Sequence, residues 1–328
     1  MHEGWANRRV LLTGGLGFIG SNLAIRLVEA GADVTIVDAL VPNHGGDRRN
    51  VAPVADRVKV HVFDLREARP LRSLVRNKDV IFHLAGQVSH GDSMREPELD
   101  LAVNCQATIT LLEACRHENP EVLSVFTSTR QVYGRPLRLP VDELHPTVPV
   151  DVNGINKLAA EYYHLLYDRT YDLPSVVLRL TNTYGPRQQI ENERQGFVGV
   201  FLQRALRREK ILVYGTGEQR RDFNHVDDVV DALLLAAATK ECRGRVFNLG
   251  ALAHFSINEF LATLGRIVPV TVEHVPFPND RRLIDIGDYH GDWSLFARAT
   301  GWQPKVGLAD GLASSIEFFR RHADVYLP

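Results

Sequence analysis

The sequence has little of what marks a metal-binding or disulfide-stabilised protein. Its 328 residues include three cysteines, Cys105, Cys115 and Cys242, with no Cys-x-x-Cys pair and no Cys/His cluster. Structural zinc sites and disulfide frameworks need such spacings, so the sequence predicts neither. The isolated cysteines indicate buried free thiols in a reducing compartment, and no metal.

A strong charge of one sign and long apolar runs are also missing. The chain carries 38 basic and 40 acidic side chains, a formal net charge of -2, so nothing indicates nucleic acid or an anionic membrane as a partner. No apolar run approaches the roughly 20 residues that span a bilayer. Residues 1–9 lack the apolar stretch of a signal peptide. The sequence therefore predicts a cytoplasmic globular protein.

Short β-rich runs alternate with helical stretches through the first half of the chain. The runs expected to be strands are Val10–Thr13, Val34–Asp38, Val58–Phe63, Val80–Leu84, Val122–Thr127 and Val176–Leu180. Most of them are apolar throughout, which is typical of strands buried on both faces. Between them, segments such as Ile19–Ala30 and Leu99–Arg116 repeat apolar residues at helical spacing. The alternation predicts an α/β fold, a doubly wound parallel sheet covered by helices on both sides.

The pattern changes after residue 180. Residues 181–195 are polar and contain the turn-forming pair Gly185-Pro186, which predicts a functional loop. The elements expected after it are Phe197–Arg208, Leu212–Tyr214, Asp227–Ala238, Val246–Leu249, a helix opened by a capping box of Ser256 and Glu259, and a final helix with Leu308, Leu312, Ile316 and Phe319 on one face. We expect residues 1–180 to form a sheet domain to which 225–250 return, and 181–328 to form a smaller α/β lobe. A ligand should lie between them, at the carboxyl ends of the parallel strands.

A glycine-rich turn joins the first predicted strand to the first helix, Thr13-Gly14-Gly15-Leu16-Gly17-Phe18-Ile19-Gly20. Glycines there permit a tight bend, bring backbone N–H groups close to a pyrophosphate, and let the helix pack against the strand. The helix N-terminus adds hydrogen-bond donors and a partial positive charge. Asp38 ends the second strand, where a carboxylate accepts hydrogen bonds from an adenosine ribose and repels a 2′-phosphate. We therefore predict that the sheet domain binds NAD through Gly14, Gly17, Phe18, Ile19, Gly20 and Asp38.

Further motifs follow in order along the chain. They are Asp64-Leu65, His83-Leu84-Ala85-Gly86, Asn104, Thr127-Ser128-Thr129 with Val132-Tyr133-Gly134, Lys157-Leu158-Ala159-Ala160-Glu161, Arg179 with Asn182-Thr183-Tyr184-Gly185-Pro186-Arg187, Arg221-Asp222-Phe223 and Asn248-Leu249-Gly250. With these motifs and its glycine spacing, nearly the whole chain resembles the extended short-chain dehydrogenase/reductase family, the NAD-dependent nucleotide-sugar epimerases and dehydratases. The resemblance implies a sheet of the Rossmann type. It also implies a homodimer formed through helices like Leu99–Arg116 and Gly154–Arg169.

The resemblance implies roles for individual residues as well. Cofactor contacts, besides the glycine turn and Asp38, would come from Asp64, Leu65, Leu84, Ala85, Gly86, Asn104, Thr127 and Lys157. A nucleotide-sugar substrate would be held by Gln87, Asn182, Tyr214, Arg221, Asn248, Arg281 and Arg282. Arg221 and one of Arg281 or Arg282 would bind its phosphates, since the guanidinium fork suits phosphate oxygens. Tyr214 would stack on the base, Thr129 occupies the catalytic Ser/Thr position, and Lys157 occupies that of the catalytic lysine.

One catalytic position departs from the family pattern. The signature Tyr-x-x-x-Lys reads Asn153-Gly154-Ile155-Asn156-Lys157 here, and an amide cannot take a hydroxyl proton as a phenol does. Tyr162 and Tyr163 would be displaced by about 13–15 Å along the same helix, too far to substitute. Tyr133 belongs to the motif after the fifth strand, and we expect it to be structural. Asn153 itself remains a candidate catalytic residue. Other candidates for proton transfer are Lys157, Thr129, His90, Asp92 and Asp151.

A second departure concerns the two residues after Thr129. Family dehydratases carry an Asp-Glu pair there, and this chain has Arg130-Gln131, which cannot act as that acid and base at neutral pH. Dehydration of the usual kind is thus disfavoured. Decarboxylation is disfavoured too, because family decarboxylases also tend to carry an acid at the position of Gln131. The sequence favours an NAD-dependent nucleotide-sugar epimerase, similar to UDP-glucose 4-epimerases, that transiently oxidises a ring hydroxyl. Two alternatives stay open: another NAD-dependent redox reaction on such a sugar (4-oxidation or a rearranged dehydration), or a protein that binds NAD and a sugar nucleotide without turnover.

Overall fold

The computed structural model describes residues 4–192 and 196–327, so residues 193–195 of the predicted loop lie outside the described residues, as do 1–3 and 328. In chain order the strands are β1 (Arg9–Thr13), β2 (Asp33–Asp38), β3 (Val58–Val62), β4 (Val80–His83), β5 (Leu123–Thr129), β6 (Ser175–Leu180), β7 (Asn182–Tyr184), β8 (Lys210–Tyr214), β9 (Arg220–His225), β10 (Arg245–Asn248), β11 (His254–Ser256) and β12 (Thr271–Val275). The helices are α1 (Phe18–Glu29), α2 (Ala68–Val75), α3 (His90–Arg95), α4 (Pro97–Leu101), α5 (Ala107–Glu118), α6 (Val152–Tyr171), α7 (Phe197–Arg207), α8 (Val226–Ala238), α9 (Ile257–Gly265), α10 (Asn279–Leu283), α11 (Ser294–Thr300), α12 (Leu308–Arg321) and α13 (Ala323–Tyr326).

The large sheet has the strand order β10-β6-β5-β4-β1-β2-β3, and every neighbouring pair is parallel. Val10, Leu11 and Leu12 of the central strand β1 are fully buried, as expected for an apolar strand covered on both faces. The order of the strands reverses between β1 and β4, because β1 leads outward to β2 and β3 while β4 leads to β5 and β6. The predicted doubly wound α/β fold of the Rossmann type is therefore confirmed.

Helices cover both faces of this sheet. On one face α1 and α8 contribute Leu23 and Val229 to an apolar cluster that includes Leu12. On the other face α5 contributes Leu111 to a cluster that includes Leu11. Since α8 and β10 come from late in the chain, the segment after β9 crosses back to complete the sheet.

Helix α6 packs on the sheet through a polar inner face. The side chains of Asn153, Asn156, Lys157 and Glu161 on this helix are all buried. Glu161 accepts hydrogen bonds from Arg179 of β6, at 2.6 Å from Nη2 and 3.0 Å from Nε, in an ion pair whose side chains are almost wholly buried. Ser128 of β5 donates a further hydrogen bond to Glu161. This network ties α6 to the centre of the sheet.

A smaller α/β lobe surrounds a second apolar cluster, to which Phe223, Phe260 and Phe319 belong. Its strands form two short sheets, with orders β11-β9-β7 and β12-β8. The predicted capping box opens α9: Ser256 Oγ accepts from the Glu259 N–H at 3.1 Å, and Glu259 Oε2 accepts from the Ser256 N–H at 2.8 Å. Strand β9 was not predicted, because its sequence is mostly polar.

The cysteines lie inside the protein, as the sequence predicted. Cys105, Cys115 and Cys242 are free and buried. Burial raises the pKa of Cys115 to about 12 and that of Cys242 to about 11. Within the described part of the chain, no helix has the length and apolarity needed to cross a membrane.

Candidate functional site

A cavity of about 480 Å³ opens where the strands of the large sheet end at their carboxyl side. This is the switch point at which open α/β sheets bind ligands. The predicted site residues in its wall are Gly14, Gly17, Phe18, Ile19, Gly20, Asp38, Asp64, Leu65, Leu84, Ala85, Gly86, Gln87, Thr127, Thr129, Asn153 and Lys157. The structure thus gathers the glycine turn, the end of β2 and the catalytic motif around one space.

The glycine turn is built for close approach of backbone to backbone. Gly14 has a φ of +70°, and a Cβ there would lie 2.7 Å from the backbone nitrogen of Ala85. A Cβ on Gly20 would collide with the carbonyl oxygen of Gly14. Gly17 precedes α1 without a capping side chain, so the first N–H groups of the helix are left for an anionic ligand.

Asp38 closes one end of the cavity. Its carboxylate accepts hydrogen bonds from the backbone N–H groups of Leu16, at 3.1 Å, and Leu40, at 2.9 Å. These bonds fix both oxygens beside the glycine turn, where each has a second lone pair for a ribose hydroxyl. Burial raises the pKa of Asp38, and the two backbone hydrogen bonds act in the opposite direction.

Several buried oxygens at the cavity have no partner among the described residues. They are the side-chain carbonyl oxygens of Gln87, Gln188 and Gln189 in the cavity wall, and that of Asn104. Buried polar atoms in native structures are nearly always hydrogen-bonded. The three glutamine oxygens therefore indicate a ligand that donates hydrogen bonds along the wall. Gln188 and Gln189 were not predicted as site residues.

Asn104 does not line the cavity but lies directly behind Gly86. Its Oδ1 is 2.7 Å from the position that a Cβ on Gly86 would take, and its Nδ2 donates to the carbonyl oxygen of Gln87 at 3.1 Å. The helix predicted from 99 to 116 is interrupted here by a π-helical turn at Ala102–Gln106. Such turns are frequent at functional sites.

Lys157 lies at the floor of the cavity and is buried. Its Nζ donates to the carbonyl oxygen of Thr127 at 3.2 Å and lies 4.9 Å from the centre of the Phe126 ring. Burial lowers the pKa of Lys157 to about 8, against the attraction of the carboxylates of Asp100 and Glu161. The amine therefore exchanges its proton far closer to neutrality than an exposed lysine.

Asn153 is held in one orientation by two acceptors. Its Nδ2 donates to the carbonyl oxygen of Gln87 at 2.8 Å and to Asp100 Oδ2 at 3.1 Å, and Asn156 Nδ2 donates to the other oxygen of Asp100 at 2.8 Å. With the amide nitrogen committed to these partners, the amide oxygen is the atom left for a ligand. Asp100 is fully buried, and sequence reasoning missed it, because an acid on a helix usually faces water.

The predicted substrate residues other than Gln87 lie outside the cavity wall, in or near the smaller lobe. Arg221 is buried, its Nη2 lies 3.1 Å from Asp285 Oδ1, and burial lowers its pKa to about 10, with further repulsion from Arg130. Asn182 was expected to bind the substrate, but its Oδ1 accepts from Arg130 Nη2 at 2.8 Å and its Nδ2 donates to the carbonyl oxygen of Asp222 at 3.0 Å, so both ends of its amide are bonded inside the protein. The guanidinium of Arg281 lies 5.2 Å from the centre of the Tyr214 ring, while Arg282 is exposed on the same short helix.

Asn248 differs from the expectation. Its side chain is fully buried, Oδ1 accepts from the Tyr133 hydroxyl at 2.7 Å, and Nδ2 donates to the carbonyl oxygen of Val141 at 3.0 Å. Because both ends of the amide are bonded inside the protein, Asn248 holds β10 to the segment after β5. Its amide has no group left for a substrate, so the prediction that it binds one is wrong. Arg179 also belongs to this internal network, since it donates to the Tyr133 hydroxyl at 2.7 Å.

Replacing Asp38 with asparagine tests the cofactor end of the site. Asp38→Asn should weaken NAD binding by about 10- to 100-fold, since hydrogen bonds to a charged group contribute about 1.5–3 kcal/mol each. NADP binding should improve relative to NAD, because the charge that repels a 2′-phosphate is gone. Calorimetric titration with both nucleotides measures this. Asp33→Asn, at an exposed position of the same strand, is the control, and equal loss in both variants would refute the role of Asp38.

The charge of Lys157 should govern how cofactor affinity depends on pH. Its ammonium form exists below the pKa of about 8, so NAD affinity should fall as pH rises through that value. Asp100→Asn removes a charge that raises this pKa, and the fall should move to lower pH. Calorimetric NAD titrations across neutral and alkaline pH measure this midpoint. Glu98→Gln, at an exposed position of α4, the helix that also carries Asp100, is the control. An unchanged midpoint in Asp100→Asn would show that the lysine charge is not responsible.

Comparisons with known proteins agree with this architecture. Residues 10–250 match the model of the NAD dependent epimerase/dehydratase family. A UDP-glucose 4-epimerase of Mycolicibacterium smegmatis is 34% identical over 313 residues, which cover 95% of this chain and 98% of that protein. The structure of a UDP-glucose 4-epimerase of Thermotoga maritima with UDP-glucose superposes with a TM-score of 0.88 at 32% identity, covering 96% and 99% of the two chains. A UDP-glucuronic acid 4-epimerase of Bacillus cereus, in complex with UDP-glucuronic acid and NAD, gives 0.86 at 26% identity and the same coverage. This chain belongs to the NAD-dependent epimerase/dehydratase family.

Proposed function

We propose that this protein is an NAD-dependent epimerase of a nucleotide sugar. It would oxidise one ring hydroxyl and reduce the resulting ketone from the opposite face. The observation that carries the proposal is the continuity of one cavity from the glycine turn and Asp38 to Thr129, Asn153 and Lys157. The similar UDP-sugar 4-epimerases support this assignment.

The residues present fit NAD. The glycine turn leaves room for a pyrophosphate beside the first turn of α1, and the Asp38 carboxylate suits the adenosine ribose. Asn104 and Lys157 lie where the nicotinamide half would follow, with an unpartnered oxygen and a buried amine. When bound, NAD supplies the acceptor and donor of hydride.

The chain's own residues then have distinct tasks. The Lys157 amine donates hydrogen bonds to the nicotinamide ribose, and the Thr129 hydroxyl and the Asn153 amide oxygen orient the sugar hydroxyl. For the rest of the substrate we propose Tyr214 with Arg281 at the base, and Arg221 with Arg281 or Arg282 at the diphosphate. Gln87 completes this set, since its side-chain oxygen has no partner among the described residues.

The two residues after Thr129 argue against dehydration. Arg130 Nη2 donates to Asn182, and Gln131 Nε2 donates to Asp151 at 2.8 Å. Neither side chain can supply or remove a proton at neutral pH, so a reversible oxidation without elimination matches these two residues better.

Turnover of nucleotide sugars tests the proposal directly. The NAD-loaded protein is incubated with UDP-glucose, UDP-galactose, UDP-glucuronic acid and dTDP-glucose, and epimers are separated by chromatography while the absorbance of reduced cofactor is followed. We expect one epimer pair to interconvert with only transient cofactor reduction. A stable keto product with stoichiometric reduced cofactor would indicate net oxidation. Binding by calorimetry without reduction would indicate a silent binding protein.

We further propose a cytoplasmic homodimer. Free buried thiols and an NAD-dependent reaction suit a reducing compartment. The outer face of α6 exposes Ile155, Tyr162 and Leu166, which are 53%, 60% and 40% accessible, and Leu101 of α4 is 50% accessible. Exposed apolar side chains on neighbouring helices are typical of a subunit interface.

Charge on this face should separate the subunits. Tyr162→Glu and Leu166→Glu together should convert the dimer to a monomer, because burying two carboxylates without partners opposes association. Light scattering measures the mass. Leu252→Glu, at an apolar position that is 56% accessible in the loop between β10 and β11, is the control and should leave the dimer intact. A wild-type monomer would contradict the proposal.

A further inference from the structure

Asn153 leaves the site without the phenol that relatives use, so the sugar hydroxyl needs another proton acceptor. Its amide is bonded to Asp100 and to the carbonyl oxygen of Gln87 and carries no titratable proton. The Lys157 amine donates to the Thr127 carbonyl, and with a pKa of about 8 it is mostly protonated at neutral pH, where it cannot accept a proton. The Thr129 hydroxyl accepts from the Gln131 N–H, and a hydroxyl alone is a weak base.

A histidine beside a buried carboxylate lies in the same cavity wall. His90 begins α3, Asp151 precedes α6, and His90 Nδ1 is 3.0 Å from Asp151 Oδ2. The Asp151 side chain is wholly buried, while that of His90 is 37% accessible and lines the cavity together with Thr129, Asn153 and Lys157. Nδ1 lies at ion-pair distance from the carboxylate but has no aligned hydrogen-bond partner among the described residues, and Nε2 is the nitrogen left for a ligand in the cavity.

The carboxylate is held firmly in place. Asp151 Oδ1 accepts from the Gly154 N–H at 2.7 Å as the cap of α6, and Oδ2 accepts from Gln131 Nε2 at 2.8 Å. Burial alone would raise the pKa of Asp151, but His90 and these hydrogen bonds outweigh it and lower the pKa. Asp151 is therefore ionised at neutral pH. A buried carboxylate at ion-pair distance from one ring nitrogen stabilises the imidazolium that forms when the other nitrogen takes a proton.

We propose that His90 is the general base and acid of the epimerisation, with Asp151 as its positioning residue. This inference rests on the function proposed above. In the forward step His90 Nε2 takes the hydroxyl proton, the C–H bond of the same carbon breaks, its hydride passes to NAD, and a carbonyl forms. In the return step hydride reaches the opposite face of that carbonyl, and its oxygen recovers the proton from the imidazolium. Atoms and electrons balance over the two steps.

Gln131 gains a role from this arrangement. It stands at the position of the acid in dehydratases of the family, and its amide donates to the Asp151 carboxylate instead. Glutamine at position 131 thus removes the acid that dehydration needs, and its amide also helps to hold the Asp151 carboxylate beside His90.

The test compares His90→Gln and Asp151→Asn with His61→Gln, which alters an exposed histidine on β3. Each full-length protein is loaded with NAD and assayed with whichever UDP-sugar of the panel the wild type converts. His90→Gln should lower kcat by about 10²- to 10⁴-fold, the usual contribution of general acid–base catalysis. KM, and the UDP affinity measured by calorimetry, should not change. Asparagine also caps helices, so Asp151→Asn should fold normally while losing part of the same kcat.

Each outcome has a distinct meaning. Added imidazole should restore part of the kcat of His90→Ala, which a structural role would not allow. Wild-type kcat in His90→Gln would overturn the proposal and leave Lys157 as the base. If His90→Gln lowers the UDP affinity and the melting temperature along with kcat, His90 has a structural role, and the proposal is overturned as well. If the wild type converts no sugar of the panel, the proposed function itself fails.

Discussion

The polar inner face of α6 is the constraint on which the rest of the site depends. A helix packed against a sheet usually buries apolar side chains, whereas this one buries Asn153, Lys157 and Glu161. Each needs a partner inside the protein, and the Glu161–Arg179 ion pair fixes the helix to β6. Breaking such a pair by removing one member typically costs about 3–5 kcal/mol. The register of α6 on the sheet, and so the position of its N-terminal end beside the cavity, follows from electrostatic matching together with the packing of Ala160 against Phe126 and Val177.

Buried carboxylates also fix the side chains around the cavity. Asp100 receives the amides of Asn153 and Asn156 from α6, while Asp151 caps that helix and faces His90. Two buried carboxylates thus bracket the N-terminal end of α6, one bonded to amides and the other at ion-pair distance from an imidazole. In the mechanism proposed above, orientation and proton transfer are divided between Asn153 and His90.

Local patterns in the sequence predicted the large sheet and the cofactor end of the site. An apolar run such as Val34–Asp38 has one stable place in a covered parallel sheet, and the glycine turn needs no distant partner to be recognised. Asp100 and β9 could not be predicted, because their burial depends on residues far away in the sequence. Arg221 of β9 is buried by its partner Asp285 from a later segment. Asn248 matched a family motif, yet its amide is bonded within the protein, which a motif does not reveal.

The buried cysteines have a practical consequence. A thiol reacts as its thiolate, and burial in apolar surroundings keeps Cys105, Cys115 and Cys242 protonated at neutral pH. Thiol-alkylating dyes should therefore not react with the three native cysteines in the folded protein. A single cysteine introduced on the outer surface would be the sole labelled position without removal of the others. Fluorescence energy transfer between such labels on two copies of the chain would then report whether the copies associate in the otherwise unaltered protein.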